Sequence, residues 1–196
     1  MTERRKAATE AELAAALEHL AESPDRISAK DWPAHFAGID GPGMYSWWVD
    51  ERGGVDLTEG LGEPITQGRI YAGLTGATKW PSGKVGSATL RSRIGSNHLG
   101  GRIRSSTFRL TLAASLFDTL ELQLNGPKRL SKDSEARLTG WMRGHLSVAV
   151  FVFPKADVLA DLENEVLSVL DPPLNLAGLP RTSTRAKLTE LRAALS

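Results

Sequence analysis

The chain contains no cysteine among its 196 residues. Disulfide frameworks, thiolate zinc sites, iron–sulfur clusters and a cysteine nucleophile are excluded together. Histidine is scarce and scattered, at His19, His35, His98 and His145. No two of them stand at the spacing of a helical zinc pair. Neither a G-x-S-x-G elbow nor a G-x-x-x-x-G-K-[ST] loop occurs, so serine hydrolases and P-loop NTPases lose their usual support. No apolar run approaches the roughly 20 residues of a membrane helix. The basic start, Arg4-Arg5-Lys6, leads into no apolar stretch, so a secretory leader is not expected and the cytoplasm is the default location.

What is present suits a soluble globular domain: 41% of residues are hydrophobic and 24% charged. The net charge of +1 conceals a segregation. Residues 1–65 hold 13 acids against 6 bases, whereas residues 84–143 hold 11 bases against 4 acids. A basic segment in a near-neutral protein can produce a one-sided field that attracts phosphate. A set of solvated helix faces would give the same count.

The hydrophobic pattern predicts an α+β fold, a small central antiparallel sheet of about three strands flanked by helices. Met44–Val49, Arg69–Leu74 and Leu146–Phe153 read as strands. The last is nearly all apolar, which predicts a central strand covered on both faces. Helices are expected over 8–22, 88–95, from Ser105 or Ser106 to Leu116, over 134–144, 155–170 and 182–195. Ser87 is the expected cap of the second. Residues 51–67 read as a glycine-rich acidic connector and 75–87 as a loop.

Two anomalies stand out. On the 155–170 helix, Glu163 falls within about 60° of Leu159, Val166 and Leu170 at helical periodicity. An unpaired carboxylate on an apolar face is costly, so Glu163 needs water, an arginine or a metal ion. Glu165 joins the polar side. The second anomaly is tyrosine, present only as Tyr45 and Tyr71. Each lies on a predicted strand beside glycine, in Gly43-Met44-Tyr45 and Tyr71-Ala72-Gly73. Pairing of the strands would bring both hydroxyls to one sheet face; ordinary cross-strand packing is the plainer alternative.

In this order the pieces resemble the GIY-YIG nuclease superfamily. Gly43-Met44-Tyr45 is similar to its GIY element and Tyr71-Ala72-Gly73 to its YIG element. Leu90-Arg91-Ser92-Arg93-Ile94 is similar to its arginine helix, with Arg93 in the arginine position. Leu162-Glu163, followed by Leu170, Pro172 and Leu174-Asn175, resembles its distal block. The resemblance covers about 41–178, which divides the chain into an N-terminal helical extension (1–40), a nuclease domain (41–178) and a C-terminal helix packed on it (179–196). Ala72 stands where a β-branched residue is usual, and an insertion lies around Ala77–Ser87. One helical turn beyond Arg93 the family often has histidine or tyrosine; here that position is Asn97, and His98 follows.

The resemblance implies a metal-dependent endonuclease that hydrolyses phosphodiester bonds, with duplex DNA as substrate. Its site residues would be Tyr45, Tyr71, Arg93, His98, Glu163 and Asn175. Glu163 would hold one Mg²⁺ or Mn²⁺, hard cations that accept a single carboxylate, phosphate and waters. Arg93 would contact the scissile phosphate. Tyr45 would serve as general base, Tyr71 would position water or phosphate, and Asn175 would brace the site. Arg91, Arg102, Arg104, Arg109, Lys128 and Arg129 would track the nucleic-acid backbone, and Trp80 could stack on a base or wedge into a groove. A silent nucleic-acid-binding module and a structure-specific repair or defence nuclease are the alternatives. Cutting both strands with one site per chain implies a homodimer or successive nicking; the terminal helices could mediate the former or could pack on the core.

Overall fold

The computed structural model describes residues 8–22, 25–32, 39–76 and 88–196. Four strands form one antiparallel sheet: β1 (Ile27–Ser28), β2 (Gly43–Val49), β3 (Gly68–Thr75) and β4 (Leu146–Val152), in the order β1-β4-β2-β3. The helices are α1 (Glu10–Ala21), α2 (Glu51–Leu61), α3 (Thr107–Ser115), α4 (Lys132–His145), α5 (Leu159–Leu170) and α6 (Ser183–Ala194). A π-helix, Ser92–Leu99, precedes α3. The expected insertion at 77–87, with Trp80 and the Ser87 cap, lies outside the described residues, as does His35.

Both β2 and β4 lie inside the sheet, and Val148 and Ala149 of β4 are buried on opposite faces; β2 is the more fully paired of the two. It pairs with β3 on one side and β4 on the other over its whole length. Beyond β4 lies only the two-residue β1, so β4 is nearly an edge and Val152 is exposed. The fourth strand escapes sequence reading because two residues carry no periodicity.

Strand alternation sends β2 side chains to both faces. Tyr45, Trp47 and Val49 enter a core with the π-helix, α2, α3 and α4. Met44 enters a second core with α1 and α5, built from Leu20, Leu159, Leu162 and Val166. A capping box between Thr9 and Glu12 starts α1, and Glu12 pairs with Lys155 across to the α5 side. The C-terminal α6, capped by Thr182, packs on α3.

Residues 51–61 are helix rather than connector. Asp50 caps them by accepting from Gly53 N–H, and Gly62 ends them in the left-handed conformation. The glycines that suggest a loop serve packing instead. At Gly60 a Cβ would fall 1.7 Å from the Ser115 carbonyl oxygen, so only glycine lets α2 approach α3 this closely.

Arg109 is fully buried, so it is structural and cannot track a nucleic-acid backbone as the charge pattern suggests. Its Nη1 donates to the carbonyls of His98 (2.9 Å) and Leu99 (3.3 Å) and to Thr139 Oγ1. Its Nη2 pairs with Glu135 Oε2 at 2.6 Å. This guanidinium ties the π-helix end to α4. Removing the carboxylate would strand a buried charge, which costs about 3–5 kcal/mol. Glu135→Ala is expected to destabilise the fold by about that amount in denaturant titration.

Candidate active site

The site is assembled on β2 and on the outer edge of β3. Trp47 pairs with Tyr71 and Tyr45 with Gly73 across the strands, so both tyrosines share one sheet face. A Cβ at residue 73 would lie 2.8 Å from the Tyr45 hydroxyl, which accounts for glycine beneath that ring. At Gly43 a Cβ would lie 2.2 Å from the Phe151 carbonyl oxygen. Tyr71 packs on Phe108 of α3 at 4.7 Å between centroids, and Phe108 stacks on Trp47.

An edge strand exposes a row of unpaired backbone groups that must find partners. On β3 those groups recruit the distal block. Ile70 O accepts from Leu174 N–H. Ala72 N–H donates to Asn175 Oδ1 at 2.9 Å, while Asn175 Nδ2 donates to Ala72 O at 2.8 Å. Leu74 N–H donates to the Glu163 carboxylate. Asn175 therefore braces the strand that carries Tyr71. Glu163 is half-buried and Glu165 is exposed, as their places on the helix require.

The π-helix brings His98 into the site. Its backbone closes i to i+5, as in the bond from Gly100 N–H to Gly95 O. This wider winding keeps Asn97 beside Arg93 in its depression and turns His98 inward toward Tyr45. His98 Nε2 lies 2.8 Å from the Tyr45 hydroxyl, and Nδ1 lies 2.7 Å from Ser106 Oγ. Ser106, the buried N-cap of α3, also accepts from Arg109 N–H. Its own proton then has one acceptor in reach among the described residues, His98 Nδ1. Hydrogen-bond satisfaction thus assigns the tautomer with the proton on Nε2, donating to the Tyr45 oxygen.

The electrostatics are those of a buried mixed cluster. Burial first, then Arg93 and Arg109, pull His98 down to about 3, so its ring is neutral. Burial and the neighbouring Tyr71 push Tyr45 well above the ordinary phenol, with Glu163 adding to and Arg93 opposing the shift. Burial and then Glu163 push Tyr71 up to about 12, opposed by Arg192 and Arg93. Burial raises Glu163 to about 7, against the Leu74 N–H and Arg93. Arg93 is half-buried, and its Nε has no hydrogen-bond partner among the described residues. It faces a depression of about 360 Å³ lined also by Ser92, Ser96, Asn97 and Ser105. A second cavity, of about 350 Å³, is lined by Tyr71, Thr107, Glu163, Asn164 and Arg192.

A family model for the GIY-YIG catalytic domain matches residues 43–194. The chain belongs to the GIY-YIG catalytic domain family. No curated protein and no solved structure matches it. Membership gives the domain a nuclease-type function, with nucleic acid as its substrate, in a family that typically uses divalent metals. No helix among the described residues is long and apolar enough to cross a membrane.

Of the six expected site residues, His98 bonds Tyr45, while Tyr71, Glu163 and Asn175 line one cavity; Arg93 lines a different depression and is tied to Tyr45, Tyr71, His98 and Glu163 by charge. Of the basic residues singled out in the sequence, Arg91 is exposed beside Asp40. Arg102, Arg104, Lys128 and Arg129 are exposed around a separate groove. Sequence reading misses Ser106 as a partner of His98, and Arg192. It recognises Ser106 only as a cap. Arg192 lies beyond the block that carries the resemblance, and only the docking of α6 brings it to Tyr71.

The neutral His98 has a consequence for stability. Its folded pKa is depressed, so below about 6.5 the unfolded chain binds a proton that the native state refuses. Stability is therefore lost as pH falls from about 6.5, and the loss levels off near pH 3. Urea titrations between pH 8 and 4 should show this contribution at up to about 1.4 kcal/mol per pH unit. His98→Asn is expected to be less stable at pH 8 and to have a shallower acid slope.

Proposed function

We propose that the protein is a metal-dependent endonuclease that hydrolyses phosphodiester bonds in DNA at the Tyr45–His98–Arg93–Tyr71–Glu163 cluster. The observation that carries this reading is the neutral His98 locked between Ser106 and Tyr45, beside an arginine with an unpartnered buried donor.

The donor set fits a hard divalent cation. Glu163 is a half-buried carboxylate raised to about 7, with a backbone N–H on it. The described residues contain no cluster of three or more histidine or acidic ligands. One carboxylate completed by substrate oxygens and water is an ordinary shell for Mg²⁺ or Mn²⁺. When bound at Glu163, the cation would offset the smaller, Glu163-derived part of the rise in Tyr45 and Tyr71, whose main cause is burial, and would supply positive charge that favours a phenolate and stabilises the phosphate.

The chain's own groups supply the rest. Arg93 holds the scissile phosphate with its forked donors and steadies the charge that grows on it. Tyr45, as the phenolate, takes a proton from the attacking water. His98 supports that phenolate through Nε2–H and takes up no second proton, because an imidazolium is disfavoured there. Tyr71 orients the water or a phosphate oxygen, and Asn175 keeps the Tyr71 strand in register. The water oxygen bonds to phosphorus as the ester P–O bond breaks, solvent protonates the leaving oxygen, and Tyr45 returns its acquired proton to solvent.

Glu163→Gln keeps the side chain's size and removes its charge. On supercoiled plasmid with Mg²⁺, the substitution is expected to lower nicking or linearisation about 10²-fold or more, with DNA affinity retained. EDTA should abolish wild-type cleavage. Undiminished cleavage by Glu163→Gln, or wild-type cleavage in EDTA, would contradict the assignment.

A further inference from the structure

A large cavity lies apart from the catalytic cluster. It is a groove of about 1070 Å³ between the segment that follows the π-helix, the 125–130 loop and one face of α4. Six exposed cations border it: Arg102 and Arg104 on the first wall, Lys128 and Arg129 on the loop, and Lys132 and Arg143 on α4. Among the described residues lining it the one acid is Glu135, already engaged by Arg109 and by Ile103 N–H. The groove's positive field is therefore nearly uncompensated.

We propose that this groove binds the phosphate backbone of a duplex arm flanking the scissile bond. The inference rests on the nuclease reading above and adds where the substrate continues and in what form. Three observations carry it. The first is continuity: Ser105 borders both this groove and the depression that holds Arg93. A strand whose phosphate sits on Arg93 meets the groove next.

The second is the shape of the α4 face. Lys132 and Arg143 stand at its ends, and Ala136, Thr139 and Gly140 form a low floor between them. Eleven residues of helix separate the two charges by about 16 Å. Phosphates of one strand recur every ~3.4 Å of duplex axis, so the pair spans about five nucleotides.

The third is chemical. Among the described residues no aromatic side chain lines the groove. Single-stranded nucleic acid is held by stacking bases on aromatic platforms, whereas a duplex presents phosphates. A cationic trough with a low aliphatic floor suits the duplex. Lys132 and Arg143 join the binding set through helical spacing, as i and i+11 on one face.

The test compares two double variants that remove equal charge. Lys132→Gln/Arg143→Gln empties the α4 face of the groove. Arg52→Gln/Arg137→Gln removes cations from the exposed side of α2 and from the other side of α4, outside the groove. Both are made in the Glu163→Gln background, and affinity is measured against salt for a DNA duplex and a single strand of the same length. The groove variant is expected to bind duplex about 10-fold more weakly at moderate salt and to lower the salt slope by about 2. The control pair should change neither beyond about twofold. Wild-type plasmid cleavage run in parallel separates the two readings. Cleavage with a groove variant that binds duplex like the control, or that loses single-strand binding more than duplex binding, overturns the groove alone. Absence of both cleavage and nucleic-acid binding in the wild type overturns the nuclease reading and the groove with it.

Discussion

One buried guanidinium fixes the geometry on which the site depends. Arg109 has no solvent contact, and its side chain takes up the His98 and Leu99 carbonyls where the π-helix ends. Its carboxylate partner sits on α4, so three elements meet at one charge. Its backbone N–H holds Ser106, whose hydroxyl holds His98. The same residue thus restrains His98 through its carbonyl and through its ring. A buried charge of this kind is expensive unless fully partnered, and its Nε finds no partner among the described residues. The arrangement adds rigidity around the histidine more than net stability.

The second constraint is the open edge of β3. A sheet edge left bare invites pairing with another chain. Here the backbone groups of Ile70, Ala72 and Leu74 are taken by Leu174, Asn175 and Glu163 in turn. Covering the edge and building the site are one event. Glu163 is held at the strand end, within charge range of Arg93 and both tyrosines, because the edge needs an acceptor there. Membership of the GIY-YIG family accounts for the order of these pieces along the chain, and the physical reason for each lies in the β2–β3 pair. Gly73 leaves room for the Tyr45 ring, and the strand register sets both tyrosines on one face.

Much of this is legible in the sequence. Helical periodicity separates Glu163 from Glu165, and two lone tyrosines beside glycines mark the paired strands. Other features are hidden for identifiable reasons. The glycines of α2 look like loop residues until the closeness of Ser115 shows their packing role. An α-helical count from Arg93 lands on Asn97; the resemblance already points to the neighbouring His98, but the π winding that carries its ring to Tyr45 is not readable in the sequence. Arg109 carries a surface residue's chemistry, and nothing local reveals that Glu135, 26 positions on, meets it in the core. Arg192 reaches Tyr71 from a helix outside the recognisable motifs. Sequence pattern reports periodicity well, and reports contacts across the fold poorly.

The claim at the centre of this account is that Tyr45, supported by His98, performs the proton transfer. Single-turnover cleavage of plasmid DNA by Tyr45→Phe tests it most directly, because the substitution deletes one oxygen and leaves the ring over Gly73. The account predicts a rate lowered about 10²-fold or more, with DNA affinity and fold unchanged. A Tyr45→Phe variant that cleaves at the wild-type rate would contradict it.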